Sequence, residues 1–308
     1  MDFTLKRYRN LLESLLHKGY TFQTFYFYLQ YNKNQANPIQ PATPNSKPDT
    51  LNPKQQVILR HDVDLKPQNS LATAKLEHEL GIKGSYYFRI VPQSFNVEII
   101  KEISSLGHEI GYHYETMDTA SSCIRESIVQ RVLYNEEKEK DCFESKNDSR
   151  NDDLIDSAFN LFCENLNTFR QITEIKTICM HGSPRSMYDN REIWKKYNYR
   201  ELGIVGEPYF DIDFNEVFYL TDTGRRWDGF RVSVRDKISQ QETWNQQGLR
   251  FKSTKQIVKA AQEDRLPNRI MITVHPQRWT NSFISWAKEL FWQNMKNALK
   301  RIIIRVKH

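Results

Sequence analysis

The sequence predicts an α/β fold with a parallel sheet, and three observations carry that reading. From Val57 onward short apolar runs alternate with helical patterns, the mark of successive βαβ units. Gly81, Gly84 and Gly107 stand where helices end and strands begin. Residues capable of chemistry fall repeatedly at the C-terminal ends of the apolar runs, the face on which parallel sheets and barrels build their sites.

Each element has its own signal. Leu5 to Tyr31 reads as an amphipathic helix with Tyr8, Leu11, Leu12, Leu15 and Leu16 on one side, closed by Gly19 and followed by an aromatic run from Phe22 to Tyr28. This N-terminal extension, 1–31, is expected to pack on the main domain. Residues 32–56 are rich in Asn, Gln and Pro and almost free of large apolar side chains, which predicts a mobile loop. Strand Val57–Leu59 follows, then a helix over Ser70–Leu80, a strand over Ser85–Ile90, a helix over Asn96–Leu106 and a strand over Glu109–His113. A dense mixture of charges, about 136–153, predicts a solvated insertion or helix extension, after which a helical stripe resumes at Leu154, Ala158, Phe162, Leu166 and Phe169. Further strands are expected at Thr177–Met180, Val217–Leu220, Phe230–Val234 and Ile270–Val274. The main domain is therefore placed at 57–280. Residues 281–308 predict an amphipathic basic helix with Phe283, Trp286, Leu290, Phe291, Leu299, Ile302 and Ile303 along one side and Lys288, Lys296, Lys300, Arg301 and Arg305 among the rest. Such a helix either docks on the domain with a basic face in water or lies on an anionic bilayer with its aromatic residues inserted.

Bulk properties narrow the function. The 308 residues carry a net charge of +6, too modest and too dispersed to suggest nucleic-acid binding. The cysteines Cys123, Cys142, Cys163 and Cys179 show no CxxC spacing, so neither a zinc knuckle nor a disulfide framework is suggested. The first residues are charged and lack the apolar core of a signal peptide, and no stretch has the apolar length of a membrane span. A cytoplasmic protein is expected, with possible peripheral contact at the inner membrane face.

The chemistry gathers at the strand ends. Arg60-His61-Asp62-Val63-Asp64 follows Val57-Ile58-Leu59, Arg89 follows Tyr86–Phe88, and His113 closes Glu109–Gly111. His181 follows Ile178–Met180, Asp222 follows Tyr219–Leu220, and His275 follows Ile270–Val274. Asp62 and Asp64 at i and i+2 share a face of an extended backbone. Like charges so close need a metal, a cation or a shared proton. A divalent ion, most economically Zn²⁺, held by Asp64 and His113 leaves Asp62 free as the base that takes a proton from water. His275 would then be the acid that protonates a leaving amine. Such a set describes metal-assisted amide hydrolysis. His108 lies at the opposite end of its strand and predicts a structural hydrogen bond, while His17 and His78 are expected on helix surfaces.

These residues resemble the polysaccharide deacetylase, or NodB-homology, family over roughly Val57 to Trp279. Asp62-Val63-Asp64 looks like its first motif, Gly107-His108-Glu109-Ile110-Gly111-Tyr112-His113 like the opening of its second, and Ile272-Thr273-Val274-His275-Pro276 like the strand that ends in the acid His. Asp222 with Trp227 is similar to the motif that supplies a Trp wall and a charge partner. The resemblance implies a distorted (β/α)7 barrel, a divalent metal and an N-acetylated sugar of a surface polysaccharide or its precursor as substrate. The chain departs from the pattern twice. Met117 stands where a second metal-binding His is expected, which leaves Glu115 or Asp118 as candidate third ligands. Met180-His181-Gly182-Ser183-Pro184 stands where an Arg-x-Pro-Tyr motif is expected, so His181, with Arg89, Asp222 and Trp227, is assigned to substrate binding. The competing expectation is a non-catalytic sugar-binding or glycan-assembly protein on a degenerate barrel.

Overall fold

The computed structural model describes residues 1–36, 55–123, 126, 147–182, 186, 188–228 and 238–306. In chain order its elements are α1 (Leu5–His17), β1 (Thr21–Gln23), α2 (Phe25–Ala36), β2 (Gln56–Val63), α3 (Pro67–Glu79), β3 (Ser85–Phe88), α4 (Val97–Ser105) and β4 (Glu109–Tyr114). They continue with α5 (Asn147–Arg170), β5 (Ile178–Met180), α6 (Pro208–Asp211), β6 (Phe218–Thr221), α7 (Gln241–Gln246), α8 (Thr254–Gln262), β7 (Arg269–Val274) and α9 (Phe283–Val306). The expected strand at 230–234, most of the expected loop at 32–56 and residues 136–146 of the charged stretch lie outside the described residues, while residues 147–153 form the start of α5.

Among the described residues every strand pairing is parallel, in keeping with the alternation of apolar runs and helices, and the main path of the sheet runs β5-β4-β3-β2-β7-β6. β2 is the axis, and all eight of its residues are buried. One edge pairs with β7 from Gln56 to His61. The other edge is shared lengthwise, with β1 along Gln56–Ile58 and β3 along Arg60–Val63. The N-terminal extension thus does more than pack on the domain: the aromatic run splits into a short strand that joins the sheet and a helix behind it. β2 also runs further than its apolar core Val57–Leu59, because pairing with β3 and β7 carries the polar Arg60-His61-Asp62 inside the strand.

Local sequence explains the covering helices. Thr4 caps α1 by accepting the Arg7 N–H, and Tyr8, Leu11, Leu12 and Leu15 are buried beneath it. Asn96 and Ser253 cap α4 and α8 in the same way, with Ile99, Ile100 and Ile103 of α4 and Ile257 and Val258 of α8 facing the core. Gly111 in β4 is required by a close approach, since a Cβ there would lie 2.3 Å from Tyr87 Cε1. Strands β2 and β5 are three places apart in the sheet, about 14 Å if it were flat. Side chains from their ends nevertheless meet within 3.3 Å, so the sheet curls strongly.

Helix α9 differs from its sequence expectation. The residues it turns to the domain are chiefly Trp286, Glu289, Leu290, Gln293 and Asn297, whereas Phe283 and Phe291 face outward. No helix among the described residues is long and apolar enough to cross a membrane.

Candidate metal centre

The site forms where β2, β4, β5 and β7 end. Side-chain alternation along β2 divides its polar motif between two faces. Asp62 turns inward with Arg60, which clamps it through two bonds, Nε to Oδ1 at 2.8 Å and Nη2 to Oδ2 at 2.6 Å. His61 turns outward to the helices and takes no part in the site. Its Nε2 is 2.8 Å from Glu77 Oε1 of α3, and its ring stacks on Tyr86 at 3.9 Å. Tyr8 and Tyr86 also donate to Glu77, at 2.6 and 3.0 Å, so this fully buried carboxylate is satisfied from three directions. Burial pushes the Glu77 carboxyl up, but His61, His108 and the Tyr8 hydroxyl together outweigh it and hold it below its ordinary value.

Asp64, just past β2, meets His113 from β4 and His181 from the end of β5. Asp64 Oδ1 lies 3.3 Å from His181 Nδ1 and 3.6 Å from His113 Nε2, and the two imidazole nitrogens are 3.3 Å apart. Tetrahedral ligand atoms at about 2.0–2.1 Å from zinc are about 3.3–3.4 Å from one another, so the triangle has the size that ion requires. Two further observations fit. Asp64 Oδ1 is buried and makes no hydrogen bond. His113 Nδ1 lies 2.9 Å from the Cys179 carbonyl, which can only accept, so the proton sits on Nδ1 and the Nε2 lone pair faces the triangle. Asp62, His113 and Cys179 form a second, deeper group of possible ligand atoms, but there Asp62 is engaged by Arg60.

The fourth edge of the site is His275. Its backbone N–H donates to both oxygens of Asp222 at 3.1 Å, and its Nδ1 lies 2.6 Å from Asp222 Oδ1. A carboxylate holds the proton on Nδ1, so Nε2 is left facing inward, 4.0 Å from Asp64 Oδ2. Arg278 Nη1 and Trp279 Nε1 complete the shell of Asp222 at 2.6 and 2.7 Å. Burial pushes the Asp222 carboxyl up, and Arg278 with His275 pulls it below the ordinary range. The same balance lowers Asp62, where Arg60 and His113 overcome burial, and Asp64, where His181, His113 and His275 do.

The remaining residues expected from sequence are placed elsewhere. Glu115 is bound by Arg89, whose Nε and Nη2 reach its carboxylate at 2.6–3.0 Å, and Arg89 Nη1 also donates to the Asp64 carbonyl at 3.3 Å. Arg89 is thus a clamp on the site wall rather than a free cation. Asp118 accepts from Ser186 and, at 3.3 Å, from Asn190 Nδ2. Neither acid joins the triangle: His181, read from sequence as a substrate contact, supplies its third corner through Nδ1. Met117 is fully buried in the apolar core. Trp227 is also buried, donating to Thr254 Oγ1 at 2.9 Å and packing near Phe3 and Trp279. His108 makes the structural bonds expected of it, to the Ala74 carbonyl and from the Gly84 N–H. Gln277 is the residue that sequence reading missed. Its Nε2 donates to Asp64 Oδ2 at 3.1 Å, and its Oε1 is buried without a partner. The only signal for it was a polar residue in the turn directly after a strand that ends in His275.

No family model matches the chain, and no curated protein matches it significantly. Among solved structures, the chain is similar to a mutant of a CE4-family pseudoenzyme with restored enzymatic activity, at 11% identity, over 85% of this chain and 68% of that one, with a TM-score of 0.35.

Proposed function

We propose that this protein is a divalent-metal-dependent hydrolase of carbon–nitrogen bonds that removes N-acetyl groups from a sugar of a surface polysaccharide or its precursor. The observation that carries the reading is the triangle of Asp64 Oδ1, His113 Nε2 and His181 Nδ1, with edges of 3.3–3.6 Å around a buried oxygen that makes no hydrogen bond. The three residues would hold one ion, and one carboxylate with two imidazoles suits zinc. When bound there, the ion supplies Lewis acidity to the substrate carbonyl and to water.

The chain's own groups then divide the proton transfers. Asp62, kept ionised by Arg60, takes the proton of the attacking water. His275, with Nδ1–H held by Asp222, acts in its imidazolium form, in which Nε2–H gives its proton to the departing amine and leaves the neutral ring. Gln277 holds Asp64 through Oδ2, which keeps Oδ1 aimed into the triangle. Arg89 and Glu115 fix the wall beside it.

The experiment is acetate release from a panel of N-acetylated nucleotide sugars and lipid-linked sugars, with and without added Zn²⁺. Metal-dependent release that disappears in Asp62→Asn supports the reading. Sugar binding without release under any metal would instead establish the non-catalytic, sugar-binding alternative.

A further inference from the structure

A surface helix ordinarily buries apolar side chains and presents polar ones to water; α9 does the reverse. On the side turned to the domain, Gln293 and Asn297 are 6% and 4% exposed. Gln293 Nε2 donates to Asn297 Oδ1, and Asn297 Nδ2 to the Gly224 carbonyl, both at 2.9 Å. Trp286 Nε1 donates to the Asp2 carbonyl at 2.6 Å, and Arg225 Nη1 to the Trp286 carbonyl at 3.0 Å. On the outer side Phe283, Ile284, Phe291, Trp292 and Met295 are 64%, 67%, 62%, 53% and 41% exposed. Five of the eight large apolar residues that are exposed among the described residues are thus concentrated on one helix. At about 100° per residue, Ile284, Lys288, Phe291, Trp292 and Met295 fall within an arc of about 100°.

Charge identifies what covers that face. Residues 281–308 hold Lys288, Lys296, Lys300, Arg301, Arg305 and Lys307 against a single acid, Glu289, which lies 3.4 Å from Lys66. Lys288 sits in the middle of the apolar arc, so a second copy meeting this face across a two-fold axis would bring like charges together in an apolar contact. A bilayer with anionic headgroups has no such conflict. Phe, Ile and Trp enter the headgroup–acyl boundary while the Lys stems reach up to the phosphates. The anchoring contacts come from Lys66 and from Gly224 and Arg225, in the segments that follow β2 and β6. The same strand ends carry Asp64 and Asp222.

We propose that α9 is a peripheral membrane anchor that lies in the plane of an anionic bilayer through Ile284, Phe291 and Trp292, with Lys288 and Lys296 contacting headgroups. The proposal is independent of the hydrolase reading, and its test uses no activity measurement. Full-length protein is floated with phosphatidylcholine vesicles with and without phosphatidylglycerol, at low and high salt. The expected result is binding to the anionic vesicles that weakens with salt and falls roughly 100-fold in Ile284→Ser/Phe291→Ser/Trp292→Ser. Absence of binding to anionic vesicles at low salt, or equal binding by the triple variant, overturns the proposal. So does sedimentation that shows a dimer abolished by the triple variant while vesicles remain unbound. Should the triple variant fail to fold, brominated-lipid quenching of the native protein decides: quenching that is lost in Trp292→Phe supports insertion, and no quenching overturns it.

Discussion

Replacing Asp222 with Ala removes a carboxylate that has no exposed surface and holds four donors in place. These are the His275 N–H at 3.1 Å, His275 Nδ1 at 2.6 Å, Arg278 Nη1 at 2.6 Å and Trp279 Nε1 at 2.7 Å. Arg278 is only 8% exposed, so the variant strands a nearly buried cation, which costs about 3–5 kcal/mol. The orphaned indole N–H adds about 1–3 kcal/mol, less than additively because both groups share one acceptor. A total loss of about 4–6 kcal/mol is expected, or a fall in Tm of about 6–9 °C. Urea unfolding followed by circular dichroism measures it, with an unchanged m value showing that the denatured state is the same. The sign with pH is fixed by the carboxyl lying below its ordinary value of 3.8 in the folded protein. Its contribution is present above the unfolded pKa and disappears as the pH falls through the lower folded value, so the gap between wild type and variant closes in acid below about pH 4. A loss under about 1 kcal/mol at neutral pH would refute the placement of Asp222 as the anchor of His275.

Asp62→Asn is expected to keep metal affinity within a few-fold while turnover drops by about 10²–10⁴, read by acetate release and by titration with a chromophoric chelator; full activity would exclude Asp62 as the base. His181→Ala is expected to weaken metal binding by about 10²–10³, with Glu115→Gln nearly silent in the same titration, and the opposite order would return the third ligand to Glu115. Glu207 is fully buried, and burial, only partly offset by N–H bonds from Met180 and Tyr209 and by Arg60, raises its carboxyl to about 7 from 4.5. A raised acid favours folding at low pH, so wild type should lose up to about 3 kcal/mol relative to Glu207→Gln between pH 4.5 and about 7, measured as paired urea curves. Gly111→Ala should destabilise by more than about 2 kcal/mol, because Cβ would lie 2.3 Å from the Tyr87 ring; an unchanged melting temperature would contradict that packing.

What was legible in the sequence was one-dimensional. A buried parallel strand shows as an unbroken apolar run, and a polar residue at its C-terminal end shows as a stop, which is how Asp64, His113, His181 and His275 were brought to one end of the sheet. The division of Asp62 from His61 followed from strand alternation, but only once β2 was known to continue through Val63. The third corner of the triangle was not legible. It depends on curl that brings β5 to β2 across three strand positions, whereas the sequence pointed to Glu115 and Asp118 through their closeness to His113 along the chain. Nor could sequence foresee that Arg89 would neutralise Glu115, or that Trp227 would fill the core, since both outcomes are decided by packing between distant segments. The apolar residues of α9 read either as a docking face or as a bilayer face, because its rotation is set by polar contacts of Gln293 and Asn297 that no periodicity shows.

The central claim is that Asp64, His113 and His181 hold one divalent ion. Anomalous diffraction at the zinc edge, from crystals reconstituted with Zn²⁺, tests it most directly. The account predicts a single peak about 2.0–2.2 Å from Asp64 Oδ1, His113 Nε2 and His181 Nδ1. A peak between Asp62, His113 and Cys179, or none near His181 at full reconstitution, would contradict it.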